Sequence, residues 1–213
     1  MRLTKFGHAC VRLEGPGGTL VIDPGALTED GAVDGVDAVL ITHEHFDHFV
    51  EGRIRAVARR HPAVEIWTVP AVAEMLTGVR ARVHTVGHGD RFTTAGFEVE
   101  AYGSLHAPVH PDVPVVANTG FLVDGRLFHP GDALTVPGRP VATLLLPVHA
   151  SWSRMSDLID WVRAVSPVRT LAVHDGGLNP TGVAVVGGFL GEHGPGIGAR
   201  YRRLAPRECT ADL

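Results

Sequence analysis

The sequence predicts an α/β fold in which two β-sheets pack face to face, with helices on the outer surfaces. Three observations carry this expectation. Strand patterns dominate each half of the chain, and one or two helical segments follow each group of strands. Two short apolar runs, Asp37–Ile41 and Ala142–Pro147, have the character of strands buried on both faces. With 213 residues, a single domain spanning 1–213 is expected, long enough to bury a sizeable core.

Each element has a local reason. Arg2–Phe6 and Ala9–Leu13 read as short strands separated by Gly7-His8, and the GPGG run at 15–18 reads as a turn into a strand over Thr19–Ile22. Asp37–Ile41 follows, running straight into Thr42-His43-Glu44-His45-Phe46-Asp47-His48. Ile54, Val57 and Ala58 recur at helical spacing among arginines until His61-Pro62 stops the pattern. Glu65–Val69 is a strand candidate, and Pro70 opens a short helix through Leu76. Phe97–Tyr102, Asn118–Val123 and Arg126–His129 read as strands, the last two joined by the hairpin signal Asp124-Gly125. Ala142–Pro147 precedes the best amphipathic helix, Arg154–Val165, with Leu158, Ile159, Trp161, Val162 and Val165 on one face. Thr170–Val173 is a further strand, ending at His174.

Composition narrows the function classes. Nineteen Lys+Arg against 23 Asp+Glu leave a net charge of −4, which gives no support for a nucleic-acid or anionic-membrane partner. The first residues, MRLTKFGHACVRLEG, lack the apolar core of a signal peptide, and no window is long and apolar enough for a membrane span. A cytoplasmic protein acting on a small molecule is the expectation, with the oligomeric state undetermined. Cys10 and Cys209 form no C-x-x-C pair, so neither a zinc ribbon nor a redox motif is available. Neither a G-x-S-x-G elbow nor a phosphate-binding G-x-x-x-x-G-K-[ST] loop occurs.

The chemistry concentrates in one place. His43, His45, Asp47 and His48 fall within six residues, directly behind a buried strand. If the strand continues, residues i and i+2 point the same way, so His43 and His45 can converge on one ion. If the chain then turns into a helix, its first turn presents Asp47 and His48 to a second. Imidazole with carboxylate suits zinc, manganese or iron rather than calcium.

The stretch H-E-H-F-D-H at 43–48 resembles the H-x-H-x-D-H signature of the metallo-β-lactamase superfamily. Further landmarks are Gly7-His8-Ala9, Ile22-Asp23-Pro24, His106, Gly131-Asp132 and His174. The G-H-A opening and the segment LLLPVHASWSRM resemble the branch of L-ascorbate-6-phosphate lactonase-like hydrolases. This resemblance implies a four-layer αβ/βα sandwich holding two divalent metal ions, zinc before manganese or iron. It implies His43, His45 and His106 on the first metal, Asp47, His48 and His174 on the second, and Asp132 bridging. The implied reaction is attack by a metal-bridging hydroxide on a small ester, lactone or phosphodiester, the leaving group taking its proton from Asp132, a bound water or His149. Asp47, Asp132 and His149 are thus the candidate catalytic groups.

Alternatives stay open at three ligands. His110 can replace His106, Asp132 can merely cap a turn, and Asp175 is adjacent to His174. His8 reads equally as a neighbour of the site or as structural, Asp23 as a group that orients a ligand histidine or a loop rather than binding metal, and His61, His84, His88, His129 and His193 as surface or structural. Two other functions share this residue set: an iron-dependent oxidoreductase of the sulfur dioxygenase type, and a metal-binding module without catalysis.

Overall fold

The computed structural model describes residues 1–213. It contains strands β1 (Arg2–Lys5), β2 (Val11–Gly15), β3 (Gly18–Ile22) and β4 (Ala38–Ile41), then helix α1 (Glu51–Arg60), β5 (Glu65–Thr68), α2 (Pro70–Met75) and β6 (Arg82–Thr85). The second half runs β7 (Arg91–Thr94), β8 (Phe97–Tyr102), β9 (Gly120–Val123), β10 (Leu127–His129), β11 (Thr143–Pro147), α3 (Met155–Val165), β12 (Arg169–Val173), α4 (Pro180–Leu190), β13 (Arg200–Arg202) and β14 (Cys209–Thr210).

Two sheets result, in the orders β14-β1-β2-β3-β4-β5-β6 and β13-β12-β11-β10-β9-β8-β7. In each, antiparallel hairpins lead into parallel strands; the first parallel pair is joined by a loop (β3 to β4, β10 to β11) and the later ones by helical crossovers. The period of two along each strand sorts the side chains into three cores. Leu20 and Ile22, Ala38 and Leu40, Leu145, and Leu171 and Val173 point between the sheets. Their neighbours Val21, Val39 and Ile41 point outward under Ile54, Val57 and Ala58 of α1. Leu144, Leu146 and Ala172 do the same under Leu158, Val162 and Val186 of α3 and α4. The four-layer αβ/βα sandwich is therefore present, and the fully apolar runs are the strands covered on both faces.

Boundaries moved by one or two residues at most expected elements. Four strands (β6, β7, β13 and β14) and helix α4 have no counterpart in the sequence reading. The first and last of these strands, β6 and β14, sit at sheet edges, as do β7 and β13. Helix α4 carries Gly182, Gly187 and Gly188, which weaken both propensity and amphipathic pattern. Its signal lies instead at its start, where the Asn179 side chain accepts from the N–H of Gly182 and Pro180 occupies the first turn.

Candidate metal centre

The site forms beyond the carboxyl ends of the parallel strands, where ligand sites of open α/β sheets collect. Residues following β3, β4, β10 and β12 supply Asp23, the 43–48 stretch, Asp132 and His174. Bonds between the halves fix their mutual position: Thr119 N–H donates to Thr42 O at 3.0 Å, and His174 N–H to His8 O at 3.0 Å.

The 43–48 stretch departs from the sequence expectation in its backbone. Strand β4 ends at Ile41 and α1 begins only at Glu51, so neither strand nor helix carries the ligating residues. A turn does, closed by His48 and Phe49 N–H groups donating to His45 O at 2.9 and 2.8 Å. Beneath it Gly25 is pressed against the chain: a Cβ there would lie 2.0 Å from the Asp47 carbonyl, so only glycine fits.

The side chains converge nonetheless. His43 Nε2 lies 3.1 Å from His45 Nδ1. Asp132 stands at the centre, with His48 Nε2 at 3.1 Å from Oδ1, and His106 and His174 Nε2 at 3.4 and 3.1 Å from Oδ2. Asp47 Oδ2 is 3.4 Å from His174 Nε2 and 3.1 Å from His8 Nε2. Three groupings with metal-ligand spacing overlap here: His43/His45/His106, His43/His48/Asp132, and His8/Asp47/His48/His174.

A second ring of contacts holds these side chains in place. His48 Nδ1 donates to Asp23 Oδ2 at 2.7 Å, and Asp23 also accepts from the N–H and hydroxyl of Thr42 at 2.8 and 2.7 Å. His106 Nδ1 bonds Ala107 O at 2.5 Å, and His174 Nδ1 bonds His149 O at 2.6 Å. Each therefore directs Nε2 into the site. His8 differs: its Nδ1 accepts from Gly176 N–H at 3.1 Å, so Nε2 carries the proton and donates to Asp47. Both of its nitrogens are thus engaged, and His8 positions Asp47. His8, Asp23 and His174 all have positive φ, a strain that clusters at functional sites.

Sequence reasoning missed two residues that touch Asp132. Asn118, fully buried, donates from Nδ2 to Pro130 O at 2.9 Å and accepts from Asp132 N–H at 3.0 Å. Trp152 Nε1–H donates to Asp132 Oδ2 at 2.9 Å. The only sequence-level sign for Asn118 is a polar residue at the head of a strand that ends in the apolar run Phe121–Val123. Among the open alternatives, His106 is buried in the cluster whereas His110 is exposed beside Asp112. Asp175 points away, sharing its carboxylate between buried Lys5 at 2.7 Å and Arg203 at 2.6 Å. His149 is exposed, its carbonyl accepts from His174 Nδ1 at 2.6 Å, and its ring is not among the side chains lining the cavity at the cluster. His129 is buried and structural, bonding Ala9 O at 2.9 Å and accepting from Gly131 N–H at 3.1 Å.

Charge in the metal-free protein follows from burial and neighbours. Burial, reinforced by the nearby His48, drives His43 well below the usual imidazole value, and burial also lowers His45 and His8. For His48 burial opposes ionisation, but Asp132 and Asp23 prevail and raise it well above that value. Burial likewise opposes the charge of His174, yet Asp132 and Asp47 lift it to about 9. Asp132 and Asp47 stay ionised in spite of burial: His48, His106 and His174 lower the first, His174 and His8 the second.

A divalent ion fits this donor set. His48, His106 and His174 Nε2 and Asp132 Oδ1 are buried without a hydrogen-bond partner, an arrangement that is costly unless a cation satisfies it. Protons on His48 and His174 offset the carboxylates, and these are the protons that metal binding releases.

Comparison with known proteins agrees with this geometry. Residues 2–174 match the family described as "Beta-lactamase superfamily domain". Over 198 residues the chain is 37% identical to protein Rv0786c of Mycobacterium tuberculosis, covering 90% of this chain and 92% of that protein. It is 28% identical over 198 residues to the "UPF0173 metal-dependent hydrolase" of Aeropyrum pernix, covering 80% and 79% of the two chains. In fold it resembles Igni18, described as a metallo hydrolase from Ignicoccus hospitalis, with a TM-score of 0.70 and 18% identity over 98% of this chain and 97% of that one.

Proposed function

This chain belongs to the β-lactamase superfamily, and from that premise we propose that it is a hydrolase requiring two divalent metal ions, zinc before manganese or iron. The observation that carries the proposal is the set of four buried, unpartnered atoms converging on one point: His48, His106 and His174 Nε2 and Asp132 Oδ1. The name of the A. pernix relative, a metal-dependent hydrolase, supports the same reading. We assign His43, His45 and His106 to one ion, Asp47, His48 and His174 to the other, and Asp132 to both. When bound, such ions lower the pKa of a shared water towards neutrality and polarise the substrate oxygen that gains charge.

The chain's own residues then have distinct tasks. Asp132 is held by hydrogen bonds from its backbone N–H to Asn118 and from Trp152 to its carboxylate, so it keeps a fixed position as the shared ligand. Asp47 is the more exposed of the two carboxylates and lines the cavity, with His8 donating to Oδ2. In this reading Asp47, held ionised by His174 and His8, accepts a hydrogen bond from the attacking water, which gives its proton to solvent, and the leaving oxygen takes a proton from water as the acyl C–O bond breaks. His149, placed outside the cavity, serves through its carbonyl by orienting His174.

The resemblance of the G-H-A opening and the LLLPVHASWSRM segment to the L-ascorbate-6-phosphate lactonase-like branch favours an ester or lactone among the substrates considered. The test is elemental analysis of protein purified without chelator or added metal, followed by an ester, lactone and phosphodiester panel. Two equivalents of zinc or manganese with hydrolysis are expected. One equivalent of iron with oxygen consumption would replace the reading by an oxidoreductase, and two metals without turnover by a binding module. His45→Ala and Asp132→Asn should each abolish hydrolysis in a folded protein; full activity in Asp132→Asn would refute the mechanism.

A further inference from the structure

The ligating cluster opens into a cavity of about 240 Å³ that shares Val109, Ser151 and Trp152 with a larger groove of about 620 Å³. Leu105, Val109, Ala133, Leu134 and Trp152 form the apolar walls of this groove. The surroundings of the opening are apolar too. Leu105 is 63% exposed, Val109 43% and Phe46 on the cluster cavity 68%. Single exposed hydrophobic side chains are ordinary, but three of them from two loops lining adjoining cavities mark a binding surface. Trp152 lines both cavities, and its N–H bond to Asp132 ties the groove wall to the ligating cluster.

Charge supplies the second observation. Arg154 is the only Lys or Arg lining the two cavities, and Asp157, on the same groove, pairs with it at 3.1 Å. A phosphate or carboxylate group on a substrate would therefore find no ammonium there and a single solvent-exposed guanidinium whose Nε already pairs with a carboxylate.

We propose that the substrate is an uncharged carboxylic ester or lactone with a hydrocarbon acyl chain. The chain lies in the groove against Leu105, Val109 and Trp152, and the reacting carbonyl sits beside Asp132. Water adds to the carbonyl carbon, the acyl C–O bond breaks, and the products are the carboxylic acid and the alcohol. This rests on the hydrolase reading above and narrows it.

The test uses the metal-replete full chain with 4-nitrophenyl acetate, butanoate, hexanoate and octanoate, and with bis(4-nitrophenyl) phosphate. Expected is a rise in kcat/KM of up to about fourfold per added methylene until the groove is filled. The phosphodiester should be cleaved more slowly than any of the esters. Leu105→Ser should lower the octanoate-to-acetate ratio by about fivefold or more, from the loss of apolar contact. Val185→Ser, on the exposed face of α4, should leave that ratio unchanged. Equal rates along the series, or fastest cleavage of the phosphodiester, would overturn the inference and leave the hydrolase reading standing. Failure to cleave any probe with both metals bound would remove the hydrolase reading and the inference with it.

Discussion

Asn118→Ala probes how the Asp132 turn is built from outside the ligating residues. The amide makes two bonds within buried structure, to Pro130 O at 2.9 Å and from Asp132 N–H at 3.0 Å. The turn it holds includes Gly131 at φ 63°, packed so closely that a Cβ there would stand 2.2 Å from Asn118 Oδ1. Alanine leaves one buried carbonyl and one buried N–H unpaired, at about 1–3 kcal/mol each. The expected loss is about 2–6 kcal/mol, a fall in Tm on the order of 10 °C for a domain of this size. Urea unfolding of metal-free protein measures the structural part, and metal content at a fixed free concentration measures the effect on Asp132. Asn118→Asp keeps an acceptor for Asp132 N–H but sets a buried carboxylate oxygen against Pro130 O where the donor stood, so its loss should be at least as large as that of alanine. A change below about 0.5 kcal/mol for Asn118→Ala, the range of ordinary surface substitutions, with undiminished metal content would refute the reasoning.

Two further outcomes follow from burial and charge. In metal-free protein His174 has its pKa raised to about 9, so its stabilising contribution is complete below the ordinary imidazole value and is lost as pH rises through about 9. Asp132 is shifted down, so its contribution is present above the ordinary carboxylate value and is lost as pH falls through its lowered one. Burial lowers His43, His45 and His8, so their contribution is lost as pH falls below the ordinary imidazole value. Urea titrations should therefore show greatest stability near about pH 6.5, falling towards acid and, by on the order of 2–3 kcal/mol, towards pH 9; a rise over that alkaline range would contradict the assignment. Burial pushes the Cys10 thiol up to about 12, whereas Cys209 is exposed. A thiol reagent at neutral pH should modify one cysteine rapidly in native protein and both in denaturant, and rapid modification of both in native protein would show that Cys10 is accessible.

The ligand types and the layer order were legible in the chain because both are local properties. The continuous apolar runs at 38–41 and 143–147 mark strands covered on both faces, and the 43–48 stretch places four candidate ligating groups in six residues. Asp23 also carried its role in sequence, as a carboxylate ending a strand beside the site, and it does orient His48. The edge strands β6, β7, β13 and β14 were not legible, since a short exposed segment has little hydrophobic pattern and pairs with partners fixed by the whole sheet.

At the site, what remained hidden was decided by distance closure. His106 and His110 are alike in type and spacing, and only the path of the 103–118 loop buries one and exposes the other. The proton on His8 Nε2 depends on Gly176, 168 positions away, and the orientation of Asp132 on Asn118 and Trp152, 14 and 20 positions away. The sequence by itself determined the inventory of donors, because ligand chemistry belongs to the residue. Tertiary structure decided which nitrogen of each ring faces inward and which carboxylate stands at the centre of the cluster, because those are set by hydrogen bonds between segments that meet only when both sheets have packed.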